Sequence, residues 1–255
     1  MKPGTASITA QRVAAHRLTF EREPADFGDA AADERLAQDV AGDVAVDSAG
    51  MMVPYLRART AFFDRVVVRA LDAGMSQVVI AAAGYDGRAL RFAKPGVRWF
   101  ELDHPDTQRD KRDRLERLGI PTDHISFVVA DFTVDDVAAG LRASGHDRSV
   151  PTLFLCEGVA VYLELAVLES LLRALRARAD DGSRLAISLS VDTGAPAVAA
   201  RRAAFAEAVA AIGEPARTVL TVDDAGALLS VTGWQMVDPS ERARHAGLVT
   251  AVPAR

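Results

Sequence analysis

The chain has 255 residues, 49% of them apolar and 25% charged, a composition typical of a globular protein that buries a substantial core. Its 30 basic and 35 acidic side chains give a formal net charge of -5, which argues against the basic surface of a nucleic-acid-binding protein. With one cysteine and no apolar run of bilayer length, we expect a cytoplasmic protein without disulfides, without a structural metal and without a membrane span.

The N-terminal part of the chain is predicted to be helical. Residues 8–46 show helical spacing without a β-rich run, which indicates two helices ahead of the main fold. A third helix is predicted over residues 54–73, since Pro54 suits a first turn and Gly74 suits a C-cap. On this helix Arg57 and Arg59 stand two positions apart, so at most one of them should face an interior cleft.

From residue 77 onward, apolar runs alternate with helical patterns. This alternation is typical of a mainly parallel sheet covered by helices on both faces. Seven strands are predicted, at Gln77–Ala82, Val97–Leu102, Ile125–Val129, Thr152–Cys156, Arg184–Ser190, Trp234–Val237 and Leu248–Val252. Only about ten residues join the last two strands, too few for a parallel crossover helix, so these strands should pair antiparallel.

These elements predict one α/β domain over residues 1–255. Its fold class is a Rossmann-like, seven-stranded, mostly parallel sheet with an antiparallel last strand and helices on both faces. Residues 1–50 are expected to form a helical cap. Residues 194–222 insert a helical segment between the fifth and sixth strands, and we expect this segment to act as a lid.

A glycine-containing turn follows the first predicted strand. Ala82, Gly84 and Gly87 occupy the positions of a G-x-G-x-x-G fingerprint, with Ala in place of the first Gly. A strand that ends in such a turn and continues as a helix brings bare backbone close to a nucleotide. A nicotinamide cofactor and S-adenosylmethionine (SAM) both remain open on this evidence.

Acidic residues follow the next two strands, at the edge of the sheet where ligands of α/β proteins bind. Asp103 stands nineteen positions after Gly84, where an acid can hold the hydroxyls of a ribose, although a solvated loop acid is the alternative. Asp131 and Phe132 combine an acceptor for an exocyclic amine with an aromatic face, which would suit adenine. The alternative for Asp131 is a helix N-cap region.

Glu157 follows the almost wholly apolar fourth strand. A carboxylate beside such a core needs a cation, because desolvating an unpaired charge is costly. The α-ammonium group of a bound methionine moiety would supply one, and a pair with Arg88 or Arg184 is the alternative. Cys156, just before it, is expected to be a small core residue rather than a nucleophile.

Taken together, the motifs resemble one known family. "QVVIAAAGYDGRALRF", "WFELDHPDTQRDKRDRL", "VVADF", "LCEGVAVYL" and "LTVDDAGALLSVTGW", with "RARTAFFD" before them, are similar in order and spacing to the leucine carboxyl methyltransferase (PPM1-like) family of SAM-dependent methyltransferases. The bacterial members include O-methyltransferases of natural-product pathways. The resemblance extends from about Thr9 to Trp234.

The resemblance implies a SAM site and a role for each residue in it. Arg59 would meet the SAM carboxylate, Gly84 would allow close backbone approach, and Glu157 would lie near the methionine amino group. Asp103 would hold the ribose, and Asp131 and Phe132 would border the adenine. The chain departs from the family pattern at Ala82, usually Gly, and at Gly87, usually Thr, so the turn around Ala82 could bind SAM less well.

We therefore expect a SAM-dependent O-methyltransferase that acts on a carboxylate or hydroxyl of a small molecule, in secondary metabolism. A carboxylate acceptor needs no general base, whereas a hydroxyl would be helped by one, for which Tyr162, His104 and His16 are candidates. The acceptor is the expected partner, with neither nucleic acid nor membrane, and a homodimer is left open. Two alternatives are an NAD-dependent oxidoreductase, which the Gly84-x-x-Gly87 spacing favours, and a protein of this fold with a non-methylating role, which Ala82 motivates.

Overall fold

The computed structural model describes residues 4–24, 26–45, 50–237 and 247–254. Seven strands form the main sheet: β1 (Gln77–Ala81), β2 (Arg98–Asp103), β3 (Ile125–Val129), β4 (Thr152–Cys156), β5 (Arg184–Ser188), β8 (Trp234–Met236) and β9 (Leu248–Pro253). Two strands of two residues each, β6 (Val191–Asp192) and β7 (Leu220–Thr221), form a separate small parallel sheet.

The main sheet has the order β3-β2-β1-β4-β5-β9-β8. Strands β1 to β5 run parallel to their neighbours, and β9 lies antiparallel to both β5 and β8. The predicted seven-stranded sheet with an antiparallel end is thus confirmed. From β1 the sheet continues through β2 and β3 on one side and through β4 and β5 on the other, so the strand order reverses between β1 and β4. Ligands of such sheets bind in the crevice outside the carboxyl ends of the two strands at this point.

Nine α-helices accompany the sheet in the described ranges. They are α1 (Ile8–Arg17), α2 (Ala30–Ala41), α3 (Val53–Asp72), α4 (Arg88–Arg91), α5 (Pro105–Arg117), α6 (Val137–Ala143), α7 (Leu165–Ala177), α8 (Pro196–Ala211) and α9 (Val222–Val231). A short 3₁₀ turn covers Ala160–Tyr162. None of the helices in these ranges combines the length and the apolarity that a bilayer crossing requires.

Helices cover both faces of the sheet because successive strand residues point to opposite sides. In β1, Val79 packs into a cluster with Phe154 and Leu171, on the side of α6, α7 and α9. Its neighbour Val78 packs on the other side, with Phe63 of α3 and the residues of α2, α4 and α5. These two buried clusters fix the strand ends that carry the polar residues.

The third and fourth strands have the predicted bounds, and the other predicted strands differ from the observed ones by one or two residues. The second strand begins at Arg98 rather than Val97 and includes Asp103, and the fifth ends at Ser188 rather than Ser190. The third helix begins at Val53, one residue early, and Gly74 follows it with a φ of +86°, as expected for a C-cap. Of the predicted N-terminal helical region, residues 25 and 46 lie outside the described residues. Strands β6 and β7 have two residues each and are too short to give a periodic signal.

Candidate functional site

A cavity of about 910 Å³ opens at the carboxyl ends of β1 to β5. Helix α1, the start of α3 and the inserted helix α8 enclose it from the other side. All of the residues predicted for cofactor binding or proton transfer line this single cavity: Arg59, Ala82, Gly84, Asp103, Asp131, Phe132, Glu157, Tyr162, His104 and His16. Its volume lies near the upper end of the range found for small-molecule sites, which leaves room for a cofactor and an acceptor together.

Glu157 is neutralised by the protein itself. Its Oε1 accepts from Arg17 Nη2 and Arg59 Nε, each at 2.9 Å, and its Oε2 accepts from Arg88 Nη1 at 2.5 Å. A bound ammonium group is therefore not required as the counter-ion of Glu157, and its place near the methionine amino group stays a prediction. The alternative pair with Arg88 is present, and Arg17 and Arg59 were not anticipated as further partners.

These contacts belong to a larger buried network of charges. Arg88 also pairs with Asp64 at 2.7 Å and with Asp86 at 2.6 Å. Among the described residues the network comprises five arginines, Arg17, Arg22, Arg59, Arg88 and Arg91, and four carboxylates, Asp33, Asp64, Asp86 and Glu157. One positive charge is in excess, so the network suits an anionic ligand group.

The network shifts the pKa values of Glu157 and Arg88 strongly. Burial alone would raise the pKa of Glu157, but the charges of Arg17, Arg88 and Arg59 hold that pKa well below its usual value of 4.5. Burial likewise opposes the charge of Arg88, yet Asp86, Glu157 and Asp64 raise its pKa well above the usual value. Glu157 and Arg88 thus stay charged at neutral pH.

Arg57 and Arg59 behave as the helical spacing predicted. Arg59 is buried in the cavity wall, whereas Arg57 is exposed and lies over the ring of Phe20, 5.6 Å from its centroid. Gly158 leaves room for the Arg59 guanidinium, because a Cβ at this position would stand 3.1 Å from Nη1. Sequence reasoning missed Gly158, although its position directly after Glu157 was a usable signal.

The glycines of the turn after β1 lie against the N-terminal helices. A Cβ on Gly84 would come within 2.9 Å of the Ala10 Cβ in α1, and a Cβ on Gly87 would come within 1.8 Å of Asp33 Oδ1 in α2. Helix α1 thus approaches Gly84 closely, and the packing of α2 requires a glycine at position 87. Close approach of a ligand to Gly84 stays a prediction. Gly84 still borders the cavity beside Ala82.

Ala82 has a backbone conformation that favours glycine. Its φ of +55° is the only positive value at a non-glycine residue in the described ranges. The left-handed region costs an L-residue with a Cβ roughly 1–2 kcal/mol. The departure from Gly at this position therefore strains the backbone.

We expect Ala82→Gly to stabilise the protein by up to about 1 kcal/mol, since the relief of strain exceeds the entropy that glycine loses on folding. Urea denaturation monitored by circular dichroism would measure the change. Ala83→Gly is the matched control, because Ala83 is buried and has an ordinary φ, and it should destabilise the protein. An Ala82→Gly variant as unstable as the control would show that the turn is not strained.

Asp103 is held at the end of β2 by backbone donors. Its Oδ1 accepts from the His104 amide at 2.7 Å, and its Oδ2 accepts from the Gly84 amide. Burial raises the pKa of Asp103, and the two backbone amides oppose this shift. Each carboxylate oxygen retains a second lone pair, so the side chain can still accept hydrogen bonds from hydroxyl groups in the cavity.

Asp131 and Phe132 lie together at the far wall of the cavity, as predicted. Asp131 Oδ1 accepts from the Thr133 amide at 2.9 Å and from Thr133 Oγ1 at 2.6 Å, and these bonds lower the pKa of Asp131. Asp131 therefore stabilises a turn, while Asp136 is the N-cap of α6. The helix-cap alternative for Asp131 is wrong, and its Oδ2 makes no bond to the described residues.

The three candidate general bases differ in their surroundings. Burial raises the pKa of Tyr162 to about 12, so this phenol stays protonated at neutral pH. His104 Nδ1 accepts from the Asp106 amide at 3.3 Å as the N-cap of α5. His16 stacks on Phe20, with 6.3 Å between the ring centroids. Cys156 is buried, and burial raises its pKa to about 12, which agrees with a core role.

The N-terminal cap and the inserted segment are bonded to each other across the cavity. Glu214, which follows α8, accepts from the Ile8 amide at 2.8 Å, the Thr9 amide at 3.3 Å and Ser7 Oγ at 3.0 Å. The N-terminus of α1 is thus capped by a carboxylate from the insertion. Sequence reasoning named both segments but gave no sign of this contact.

Comparison with known proteins identifies relatives of this architecture. Residues 10–176 match the family model described as leucine carboxyl methyltransferase. A protein of Mycolicibacterium smegmatis, named as a candidate S-adenosyl-L-methionine-dependent methyltransferase, is 36% identical over 204 residues, covering 74% of this chain and 67% of the relative. A Mycolicibacterium paratuberculosis protein of the same description is 40% identical over 138 residues, covering 53% of this chain and 43% of the relative. The chain thus aligns with about half to two thirds of the length of such relatives.

Two solved structures share the fold over nearly the whole chain. A DUF574-family protein from Streptomyces avermitilis superposes with a TM-score of 0.62 at 18% identity, over 98% of each chain. A candidate methyltransferase from Thermobifida fusca superposes with a TM-score of 0.59 at 17% identity, over 100% of this chain and 97% of the other. At these identities the likeness concerns the fold.

Proposed function

The chain belongs to the leucine carboxyl methyltransferase family of SAM-dependent methyltransferases, and from this membership we propose that it methylates an oxygen atom of a small molecule. The acceptor group is a carboxylate or a hydroxyl, and the setting is secondary metabolism in the cytoplasm. The observation that carries the proposal is that one cavity is lined by Arg59, Asp103, Asp131 and Glu157. This cavity lies at the point where the strand order of the sheet reverses, which is the usual ligand site of an α/β sheet.

The residues present fit SAM at its methionine end. The buried network carries one excess positive charge, and Arg17 Nε is buried with no hydrogen-bond partner among the described residues. A carboxylate placed against Arg59 and Arg17 would use both features. Because Glu157 already holds these arginines, we assign it the task of positioning the Arg59 guanidinium beside the methionine moiety.

Two other acidic residues of the cavity, Asp103 and Asp131, fit the adenosine end of SAM. The free lone pairs of Asp103 suit the two ribose hydroxyls, and the unbonded Oδ2 of Asp131 suits the exocyclic amine of adenine. Phe132 supplies an apolar face beside the base. The turn at Ala82 and Gly84 lies between these two ends of the cavity.

SAM, when bound, supplies a methyl group on a positively charged sulfur. The role of the protein is to orient the acceptor and to exclude water. Helices α1 and α8 exclude water by enclosing the cavity. The protonated phenol of Tyr162 is suited to donate a hydrogen bond rather than to accept a proton. A carboxylate acceptor, already ionised at neutral pH, matches such a site better than a hydroxyl.

Cofactor choice can be tested by thermal unfolding. S-adenosylhomocysteine (SAH) at a hundred times its Kd should stabilise the protein by about 2.7 kcal/mol, which for a chain of this size raises the Tm by roughly 5–10 °C. NADH at the same concentration should leave the Tm unchanged, and the opposite result would support the oxidoreductase alternative. Radiolabel from SAM that enters a metabolite of a bacterial extract would contradict a non-methylating role.

A further inference from the structure

Helix α8 presents an almost uncovered face to the cavity. Of its 16 residues only Val209 is buried. Val198, Arg201 and Phe205 follow one another at helical spacing and line the cavity. A surface helix normally packs an apolar stripe against protein. In α8 the apolar side chains of Val198 and Phe205 line the cavity together with Arg201, so a ligand bound there would cover them.

Around this wall of the cavity, some guanidinium nitrogens have no hydrogen-bond partner among the described residues. Arg201 makes no hydrogen bond or ion pair with the described residues, and its Cζ lies 5.3 Å from the centroid of the Tyr55 ring. Arg12 Nε and Arg202 Nη1 are buried and lack a hydrogen-bond partner in the same ranges. An unpaired buried donor is costly, which indicates that an acceptor group from a ligand belongs here.

The carboxylates near this wall are already engaged. Asp192 accepts from Arg202 Nη2 at 2.8 Å, and Glu214 caps the N-terminus of α1. They cannot serve Arg201 as well without losing these bonds. The wall therefore keeps a positive excess that is separate from the network around Glu157.

Aromatic rings lie beside these cations. Tyr162 packs against Phe205, with 6.1 Å between the ring centroids and 57° between the planes. The Tyr55 ring lies close to both Arg201 and Arg59, and the Cζ of Arg59 is 5.7 Å from its centroid. Such rings bind flat apolar groups well.

We propose that the methyl acceptor is an anionic aromatic molecule and that Arg201 of α8 recognises its anionic group. The ring of the acceptor packs against Phe205 and Tyr162, and Arg12 and Arg202 border the same subsite. This inference rests on the proposed function, since it describes the acceptor half of the same cavity. Arg201 is thereby a specificity-determining residue carried by the inserted segment.

The test compares matched ligands on matched variants. Isothermal titration measures the affinity of 1-naphthoate, of its neutral analogue 1-naphthamide and of hexanoate, an anion without a ring, with and without saturating SAH. The proteins are the wild type, Arg201→Gln and the control Arg57→Gln, which alters an exposed arginine of α3 that does not line the cavity. The circular dichroism spectrum and the Tm of each variant without ligand show that it is folded.

We expect the wild type and Arg57→Gln to bind naphthoate at least about tenfold more tightly than naphthamide or hexanoate, and Arg201→Gln to lose the preference over naphthamide. Equal binding of naphthoate and naphthamide to the wild type, or a preference that persists in Arg201→Gln, would overturn the anion assignment. Equal binding of hexanoate and naphthoate would overturn the aromatic part. A wild type that prefers naphthoate yet does not bind SAH would contradict the proposed function alone.

Discussion

Arg88→Met is expected to destabilise the protein by about 3–5 kcal/mol, the usual loss when one partner of a buried ion pair is removed. Arg88 is fully buried and pairs with Asp64, Asp86 and Glu157 at 2.5–2.7 Å. Methionine fills much of the same space but removes one cationic partner from each of the three buried carboxylates, which keep only their contacts with Arg17, Arg22 and Arg59. The free energy of unfolding from urea titration at neutral pH would measure the loss.

Arg69→Met provides the control, because Arg69 is exposed on α3, and it should change stability by less than about 0.5 kcal/mol. Measurements at low pH distinguish the loss of charge interactions from the loss of packing in Arg88→Met. The network lowers the pKa of Glu157 from 4.5, so its stabilisation is present above pH 4.5 and is lost as the pH falls further. The stability gap between wild type and Arg88→Met should therefore shrink in acid, and a constant gap would mean that lost packing is the cause.

We expect Asp103→Ala to weaken SAH binding by about 2–3 kcal/mol, the usual contribution of hydrogen bonds to a charged group. This loss corresponds to roughly 30–150-fold in Kd. The side chain is fixed by the amides of Gly84 and His104, and its free lone pairs face the cavity. Isothermal titration with SAH would measure the change.

Asp113→Ala serves as the control, since Asp113 is an exposed acid on α5 that does not line the cavity. It should leave the SAH affinity unaltered. The Tm of Asp103→Ala without ligand shows whether the turn at Gly84 remains folded. A folded Asp103→Ala variant that binds SAH like the wild type would remove Asp103 from the cofactor site.

The strands were predictable because most of them are short apolar runs separated by turn residues and helical patterns. The short link before Leu248 was enough to predict an antiparallel pair, which β8 and β9 form. Asp103 and Glu157 could also be predicted as site residues, because each follows or ends a predicted strand. Parallel strands bring their carboxyl ends to one edge, so polar residues that follow separate strands converge.

Apart from Arg88, which was named as an alternative partner of Glu157, the partners of those residues could not be predicted. Arg17 reaches Glu157 across 140 positions of sequence, and no periodic pattern links α1 to the end of β4. The reason for glycine at position 87 is Asp33 in a different helix, and the cap of α1 is Glu214 near the other end of the chain. Each of these contacts depends on how the cap and the insertion pack over the sheet.

The amino-acid sequence by itself therefore determined the class of the fold and the edge of the sheet at which its chemistry lies, since hydrophobic periodicity and strand direction are local properties. Only the tertiary structure decided which charges meet, that Glu157 is neutralised by three arginines, and that Arg201 is left without a partner. Ion pairing in a buried site depends on distances of a few ångströms between distant segments, which local patterns do not encode.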